Sequence, residues 1–456
     1  MTQAPKAFRK TPIAVLAVLL AGSIAVFAGG ARESSGPAPL TVATVNNPDM
    51  AIMQQLSVGF TSATGIGLNF VVLPENELRQ KVTEDVGLGS GKYDVVTIGT
   101  YDAPIWGRNK WLVPLESLFA GMSASERQAY DREDLLPTIR AALSFEGQLF
   151  ALPFYGESSM MFYRKDLFAK AGLSMSPKPT WQQIYGYAAR LRGISNGCYG
   201  IVLRGLPGWG ENLAPFNTVV NAFGGRWFRQ DWQPAFDEPG MAEAWRFYKK
   251  IIIDAGEPSP TTDGYTECLA IMASGKAAMW YDATVSAGAL EGKDSKVAGR
   301  IGYAFAPSAA KADTGWLWAW ALAIERSSRK PREAFKFLTW ATDRKYIALV
   351  GSRVGWAQVP PGTRSSTYHD PRYLAAAPFA DIVLSSILSA DYDRPTLKPV
   401  PYKGLQYVSI PEFQSLGELV SQQLAAYLAG QETLEQALMD SQAAALRVAK
   451  EGGYLR

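Results

Sequence analysis

Histidine and cysteine are scarce in this chain of 456 residues, which has one histidine and two cysteines. No common zinc-ligand spacing can be assembled from His369, Cys198 and Cys268, so we expect no metal and no cofactor. A catalytic triad would have to use His369, which stands in the polar stretch TRSSTYHDP and is expected on the surface. One disulfide is conceivable in an oxidising compartment, but we expect two buried free thiols.

Net charge is also low, at +3, and no block of lysine and arginine follows the first ten residues. Nucleic-acid binding therefore has little electrostatic support. The stretch VGLGSGKY (86–93) resembles a phosphate-binding loop, but Val86 replaces the first glycine and Tyr93 replaces the Ser/Thr that binds magnesium. We expect no nucleotide site, and any ATP hydrolysis linked to this protein takes place in another chain.

A long apolar run occurs at the N-terminus, where Ile13–Phe27 follows Lys6, Arg9 and Lys10. This pattern predicts a signal peptide over residues 1–28, with small residues at the cleavage site. The Gly/Ser/Pro-rich residues 29–39 then predict a flexible linker. We expect a periplasmic protein, or a membrane-tethered one if the signal is not cleaved. No cysteine stands near the cleavage site to carry a lipid anchor.

The remaining sequence is that of a globular protein, with 47% hydrophobic residues, and it is long enough for two or three domains. Its first part alternates between the period of strands and the period of helices. This βαβαβ pattern predicts a parallel α/β sheet, and the alternation continues along the later chain. The predicted elements are strands at 40–45, 67–73 and 93–99 and helices at 50–64 and 75–89.

Aromatic residues are abundant, with 13 tryptophans, and three of these stand at alternate positions of TGWLWAWALAI (314–324). In a strand, Trp316, Trp318 and Trp320 would point to the same face. Such a face is either part of the core or a flat surface for a ligand. We expect Trp320, deeper in the apolar run, in the core, and Trp316 and Trp318 on the ligand.

Four stretches stand out, namely PFYGESSMMFYRKDLFAKAGL with PTWQQI after it, ECLAIMASGKAAMWYDAT, REAFKFLTWATD and VPPGTRSS. The first three resemble the extracellular solute-binding proteins of ABC importers, a family that includes maltose-binding protein. Five further stretches are ATVNNPDM, TIGTYDAPIWG, GWGEN, GWLWAW and KPVPY. With these, the resemblance narrows to the sorbitol/mannitol (polyol) binding proteins and covers residues 40–456.

This resemblance implies a type II periplasmic-binding-protein fold, in which two α/β lobes joined by hinge strands enclose the ligand. By analogy, lobe 1 comprises residues 40–151 plus 303–348, and lobe 2 comprises residues 155–300 plus 350–456. The implied partners are a polyol or sugar and the membrane subunits of an ABC permease, whose ATPase is a separate chain. We expect a monomer. The chain differs from lipoprotein relatives in lacking the acylated cysteine.

A polyol presents hydroxyl groups and weakly polar C–H faces, so its site needs aromatic surfaces and fixed polar side chains. A buried hydroxyl without a partner costs about 1–3 kcal/mol. At the ends of the first and third strands we expect Asn46, Asn47 and Tyr101 to contact ligand, although the two asparagines could instead form a turn. After the first crossover we expect Tyr155 and Glu157, although Glu157 could instead pair with an arginine that closes the lobes.

The other candidates come from three loops or strand ends, LRGLPGWGENLAPF, MWYDATVS and GSRVGWAQVPPGTR. The glycines of the first loop permit close backbone approach. Within these stretches, Asn212 could be only a helix cap, and Arg353 could bind a carboxylate instead of a hydroxyl. The candidates are Trp209, Glu211, Asn212, Trp280, Asp282, Arg353 and Trp356.

Two alternatives remain at this point. An exported glycoside hydrolase would also have tryptophan surfaces and paired carboxylates, for which Glu157, Glu211 and Asp282 are available. No hydrolase motif is visible, so we expect a binding protein and not an enzyme. A binding protein for another mono- or oligosaccharide, or a lectin-like surface protein, is the other alternative.

Overall fold

The computed structural model describes residues 38–455. The predicted signal peptide, residues 1–28, and most of the predicted linker, residues 29–39, lie outside this range. The strands are β1 Leu40–Val45, β2 Leu68–Leu73, β3 Val95–Gly99, β4 Ser144–Phe145, β5 Gln148–Leu149, β6 Ala151–Glu157, β7 Ser159–Arg164, β8 Met279–Ala283, β9 Ile301–Phe305 and β10 Trp318–Ile324. The α-helices are α1 Pro48–Thr64, α2 Glu75–Leu88, α3 Asp102–Arg108, α4 Glu116–Ala120, α5 Ala124–Tyr130, α6 Pro137–Ala142, α7 Lys165–Lys170, α8 Trp181–Leu191, α9 Leu213–Ala222, α10 Pro239–Ala255, α11 Tyr265–Ala273, α12 Ser286–Leu290, α13 Pro331–Thr342, α14 Arg344–Arg353, α15 Pro371–Ala376, α16 Ala380–Ser389, α17 Phe413–Leu428 and α18 Leu434–Glu451.

The predicted βαβαβ start is confirmed. Strand β1 is parallel to β2, with Leu40 opposite Leu68, and it is parallel to β3 on its other side. Helix α1 begins at Pro48, whose fixed φ suits the first helical turn, and ends before Gly65 with φ +71°. The local pattern therefore determines both the elements and their direction in this part.

The first sheet has the order β2-β1-β3-β10-β6, and one strand, β10, departs from the predicted parallel arrangement. Strand β10 is antiparallel to both neighbours, with Trp320 opposite Gly99 on β3 and Tyr155 on β6. The expectation of a parallel sheet is thus right for β1–β3 and wrong for β10. A strand buried on both faces shows a continuous apolar run whatever its direction, so the sequence carries no signal for this reversal.

A second sheet has the order β8-β7-β9, with both outer strands antiparallel to β7. Only Ser158 separates β6 from β7, so the chain passes from the first sheet to the second at this residue. It returns between β9 and β10. By analogy we placed the ends of lobe 1 at residues 151 and 303. The chain changes sheets a few residues after each of these positions, because residues 152–157 belong to the first sheet and residues 303–305 to the second. The lobe limits themselves stay a prediction.

After Ile324 the described chain contains helices and connecting segments, with β structure limited to single-residue bridges. The predicted alternation of strands and helices is therefore wrong for this last quarter. Its longest helices, α17 and α18, bury one face each, formed by residues such as Leu416, Leu424 and Ala445. Cys198 and Cys268 are both buried and free, as expected.

Candidate ligand-binding site

A cavity lies where the ends of β1, β6, β8 and β10 meet the loop before α9. Six of the residues that we predicted to bind ligand line it, namely Asn47, Tyr155, Glu157, Trp209, Trp316 and Trp318. Its other lining residues are Glu75, Arg79, Arg204, Gly210, Ala214, Tyr265, Ala283, Val285, Trp320 and Gln406. The lining residues come from elements of both sheets, so the cavity lies between them.

The cavity is small. Its volume is 40 Å³, counted as the space that the centre of a water molecule can reach. Adding the radius of water at every wall gives roughly 180 Å³ for a rounded shape. A cavity of this volume suits a single small molecule of monosaccharide size.

Arg204 is fixed at one wall of the cavity by a buried carboxylate. Its Nε donates to Asp282 Oδ2 at 2.8 Å, its Nη2 donates to Asp282 Oδ1, and its Nη1 donates to the carbonyl of Gly210 at 2.9 Å. Asp282 also accepts from the indole N–H of Trp280 at 3.0 Å. Asp282 is fully buried at the end of β8 and is occupied by these donors. It therefore supports Arg204 from behind and does not line the cavity.

Glu157 ends β6 and faces the cavity with little access to solvent. Burial raises the pKa of its carboxyl well above the usual range, although the charge of Arg204 acts in the opposite direction. The indole of Trp316 is close enough to lower this pKa slightly. Burial thus favours the protonated form of this carboxyl group, which can both donate to and accept from a hydroxyl group.

Arg79, from helix α2, forms the opposite side of the cavity. Its Nε and Nη2 donate to Glu75 Oε1 at 3.1 and 2.8 Å, one helical turn away. Asp102 lies 3.7 Å from Nη1. The guanidinium also lies over the ring of Trp209, with its central carbon 3.9 Å from the ring centroid.

Two tyrosines complete the polar lining. The side-chain amide of Asn47 donates to the hydroxyl of Tyr155 at 2.6 Å, which joins the end of β1 to β6. The hydroxyl of Tyr265 accepts from Ser286 at 3.2 Å. Each tyrosine oxygen is thus held in place and keeps its own proton for a further acceptor.

Four buried polar atoms at the cavity have no hydrogen-bond partner within residues 38–455. Three are donors and one is an acceptor, and they are Arg79 Nη1, Trp209 Nε1, Trp316 Nε1 and Gln406 Oε1. Buried polar groups are nearly always paired in native proteins. Because all four side chains line the same cavity, one bound polar molecule can supply partners to all four atoms.

Four of the predicted residues, from the loop before α9 and from the ends of β1 and β3, lie outside the cavity. The hydroxyl of Tyr101 lies 3.0 Å from the carbonyls of Ile410 and Pro411, and the amide of Asn212 donates to the carbonyl of Ser421. Glu211 sits behind Arg204, 3.7 Å from its Nη1. Asn46 is exposed.

Glu211 has an unusual environment for a surface-loop carboxylate. Burial, and then the charge of Glu75, raise its pKa to about 7, with Arg204 opposing them. Its Oε2 also accepts from the backbone N–H of Tyr265 at 2.9 Å. Glu211 therefore supports the cavity wall from behind and is not one of the lining residues.

The remaining predicted residues are also set apart from the cavity. Trp280 is fully buried and stacks on Phe162, with ring centroids 5.3 Å apart. Arg353 lines a second and separate cleft of 370 Å³. The ring of Trp356 is covered by Arg372, at 4.2 Å. A role in ligand contact for these residues, and for Asp282, has no support from their positions.

Sequence reasoning missed most of the charged and amide groups of the lining. Glu75 and Arg79 stand in a helix whose many polar residues resemble an ordinary solvated face. Gln406 stands in a connecting segment before α17, and its Nε2 donates to the carbonyl of Leu317 at 2.9 Å. Arg204 could have been predicted, because it stands in the same loop stretch as Trp209. Trp320 is buried in the core, as expected, and also lines the cavity.

Within residues 38–455 no group of three or more His, Cys, Asp or Glu side chains is arranged to hold a metal ion. Over the same range, no helix has both the length and the apolar character needed to cross a membrane.

A cavity between two sheets, lined by indoles and unpaired polar groups, is typical of a protein that binds a small polar molecule. Residues 44–348 match the family described as bacterial extracellular solute-binding protein. The chain is 47% identical to the mannitol-binding protein of Pseudomonas aeruginosa, over 92% of this chain and 95% of that one. The protein therefore belongs to the family of bacterial extracellular solute-binding proteins.

Solved structures agree with this assignment. An ABC transporter solute-binding protein from Agrobacterium vitis, with bound D-mannitol, superposes with a TM-score of 0.88 at 48% identity and covers 92% of this chain and 100% of that chain. A solute-binding protein from Agrobacterium radiobacter in complex with ribitol gives a TM-score of 0.80 at 24% identity, over 91% and 99% of the two chains, and supports the fold. The predicted two-lobed periplasmic-binding-protein fold is confirmed.

Proposed function

We propose that this protein captures an acyclic sugar alcohol of the mannitol or sorbitol type and delivers it to the membrane subunits of an ABC importer. The observation that carries the proposal is the set of four unpaired buried polar atoms around the cavity. Hydroxyl groups can satisfy both the three donors and the single acceptor, because each hydroxyl donates once and accepts. The mannitol bound by the relatives has this chemistry.

The charges at the cavity favour a neutral ligand. Both guanidinium groups already have carboxylate partners, Arg204 with Asp282 and Arg79 with Glu75. Glu157, whose pKa is raised by burial, adds no positive charge. A sugar acid or sugar phosphate would therefore meet no unpaired cation among the lining residues, whereas a neutral polyol needs none.

The size of the cavity favours a monomeric ligand over maltose or a longer oligosaccharide. A cavity of roughly 180 Å³ within its walls accommodates one small sugar-like molecule in the closed conformation. Another monosaccharide remains the competing ligand, and the experiment below compares the two classes directly.

We further propose a periplasmic location, a monomeric state and two lobes that close around the ligand. The passages between the sheets, at Ser158 and between Phe305 and Trp318, support two lobes joined by hinges. Hinge closure is a common way for such proteins to enclose a ligand. Small-angle scattering should show a smaller radius of gyration with saturating mannitol, and an unchanged curve with demonstrated binding would contradict closure.

A hydrolytic function is not supported by the geometry. Asp282, one of the carboxylates available to a glycoside hydrolase, is held by Arg204, by Trp280 and by the backbone N–H of Ala283. A nucleophile or base needs a free oxygen facing the substrate. We therefore propose that bound ligand leaves this protein chemically unchanged.

Calorimetric titration with mannitol, sorbitol, arabitol, xylitol, glucose and maltose tests the proposal. We expect the hexitols to bind most tightly, and mass spectrometry should recover them unchanged after denaturation. Tighter binding of glucose or maltose, or loss of the added polyol, would overturn it. N-terminal sequencing of periplasmic material tests removal of residues 1–28.

A further inference from the structure

Arg79 is surrounded by three indoles. Its guanidinium carbon lies 3.9 Å from the ring centroid of Trp209, 4.9 Å from that of Trp320 and 5.0 Å from that of Trp318. A guanidinium within about 6 Å of an aromatic ring is attracted to its face. Trp209, Trp318 and Trp320, named the indole cage below, thus contact the same cation.

The polar contacts of Arg79 leave one edge of the guanidinium free. Glu75 takes the Nε and Nη2 protons. Nη1 is buried, belongs to a side chain that lines the cavity, and has no hydrogen-bond partner among the described residues. The carboxylate of Asp102 lies 3.7 Å from Nη1, which is beyond hydrogen-bond distance. Two N–H groups on Nη1 are therefore held in position for a ligand.

The rings of the indole cage are already in contact with the protein. Trp318 meets Trp209, Trp320 and Tyr407 edge to face, with centroids 6.0, 5.6 and 5.9 Å apart. A side chain on Gly99 would overlap its six-membered ring. Little of the Trp318 face is therefore left for the C–H face of a ligand, and the same holds for the side of Trp209 that Arg79 covers.

The cage forms only where two parts of the molecule meet. Helix α2 follows the first sheet, whereas Trp209 lies in a loop after Val202, which bridges to β8 of the second sheet. The amide of Asn76 on α2 donates to the carbonyl of Pro207 in this loop at 3.1 Å. A Cβ atom on Gly210 would overlap Glu75 Oε1 and lie 3.2 Å from Arg79 Nε.

We propose that the indole cage positions Arg79, and that Arg79 Nη1 is a specificity-determining donor to a ligand hydroxyl. On this proposal, Trp318 and Trp320 act through Arg79 and are positioning residues, whereas Trp209 also presents its unpaired indole N–H to the ligand. The proposal rests on the proposed polyol-binding function and deepens it. It predicts that selectivity among hexitols depends on the cage even where the rings do not touch the ligand.

A double-mutant cycle tests the coupling between cage and donor. Arg79→Met, Trp318→Leu and the double variant are titrated with mannitol, and their melting temperatures are measured. Trp318 is chosen because its ring is 5.0 Å from the guanidinium carbon of Arg79 and its indole N–H is not among the unpaired buried atoms. Each single variant should lose about tenfold or more in affinity, the value of one hydrogen bond to a charged group. The double variant should be within about threefold of the weaker single variant, because both changes remove the same contact. Losses that multiply would show that Trp318 contacts the ligand directly and would overturn the proposal.

Deoxy analogues provide a second measurement that a purely structural role would not affect. For the parent protein, one monodeoxy hexitol should bind about tenfold or more weakly than the hexitol, because Arg79 loses its acceptor. Arg79→Met should bind this analogue and the hexitol equally well. If every analogue keeps the same ratio in the parent and in Arg79→Met, then Arg79 does not read a hydroxyl.

A glycine pair tests the approach of α2 to the loop without removing a polar group. Gly210→Ala should displace Glu75 and Arg79 and weaken mannitol binding about as much as Arg79→Met. The matched control is Gly186→Ala on α8, where a new Cβ meets no atom within 4 Å. The control should bind as the parent does, and parent-like binding by Gly210→Ala would contradict the cage.

Different results would contradict the proposed polyol-binding function and the indole cage. If the parent binds no polyol, the proposed function fails, and the cage is then judged by tryptophan fluorescence. Arg79→Met should alter the emission of the parent, and an identical spectrum would overturn the cage as well. If the parent binds mannitol and the cycle is additive, only the cage fails.

Discussion

The guanidinium of Arg204 and the carboxylate of Asp282 form a buried, two-pronged ion pair, with Nε and Oδ2 2.8 Å apart. Neither side chain has appreciable contact with solvent. The net contribution of such a pair to stability is small, but removing one partner is costly because it leaves an unpaired charge in the interior. It holds one wall of the proposed ligand site, and its loss affects stability before it affects ligand contacts.

Replacing Asp282 by Asn should therefore destabilise the protein. Arg204 would keep its buried charge without a carboxylate partner, and we expect the free energy of unfolding to fall by about 3–5 kcal/mol. Chemical denaturation without ligand measures this change. An unchanged unfolding midpoint together with weaker mannitol binding would instead give Asp282 the direct ligand role that the sequence suggested.

The contact between Asn47 and Tyr155 should matter for affinity. Tyr155→Phe removes the hydroxyl that accepts from Asn47 at 2.6 Å and that keeps a proton for the ligand. We expect mannitol binding to weaken by about 1–2 kcal/mol, measured by calorimetry. Tyr101→Phe is the matched control, because its hydroxyl contacts only protein atoms at 410–414. Equal losses in the two variants would refute the distinction.

Asp134 should make the protein sensitive to acid. Burial acts to raise the pKa of Asp134, but hydrogen bonds from Arg344, Ser366 and Arg364 outweigh it and bring the pKa to about 2. Because the folded-state pKa is below the unfolded value, the stabilisation is present above about pH 4 and is lost as the pH falls toward 2.

Comparison of the parent with Asp134→Asn between pH 2 and 7 measures this contribution. We expect the parent to be more stable by about 1–2 kcal/mol at pH 6 and the difference to shrink on acidification. A constant difference over the whole range would contradict the assignment.

Glu325 should have the opposite effect. Burial, and then the neighbouring carboxyl of Asp85, raise the pKa of Glu325 to about 9. Because this folded-state pKa is above the unfolded value, the stability associated with Glu325 is present at low pH and declines as the pH rises toward 9.

Glu325→Gln imitates the protonated acid and should flatten this dependence. We expect the variant to melt near the parent at pH 5 and above it at pH 8, measured by scanning calorimetry. Should the two proteins respond identically to pH, Glu325 would not be the titrating group.

The sequence predicted the elements up to β3 because their periodicity, capping residues and turns are local signals. It could not predict that β10 is antiparallel to β3, since direction depends on where a distant segment returns. Contacts between distant segments also decide which of the predicted site residues line the cavity and which do not. Asn47, Tyr155 and Trp316 stand at strand ends or beside them, where the general rule for α/β sheets applies.

The missed residues Arg79 and Gln406 have no such local signal. Arg79 reaches the cavity because α2 lies against a loop far along the chain, and Gln406 because it bonds to the backbone of Leu317. Trp280 is the opposite case: its local pattern, an aromatic residue beside a carboxylate at a strand end, is typical of a ligand site. In the structure its indole N–H donates to Asp282 and does not face the cavity.

In the first sheet β10 lies between β3 and β6, and this position affects how the chain folds. Trp320 must pair with Gly99 and Tyr155, so the sheet cannot be completed until nearly three quarters of the chain is available. Pairings this distant in sequence make folding slow, because a long loop must close before any contact forms. A fragment that ends before β10 would expose the unpaired edges of β3 and β6, and open strand edges promote aggregation. Proteolytic or genetic truncation in the stretch between β9 and β10 is therefore expected to yield insoluble material and not an independent first domain.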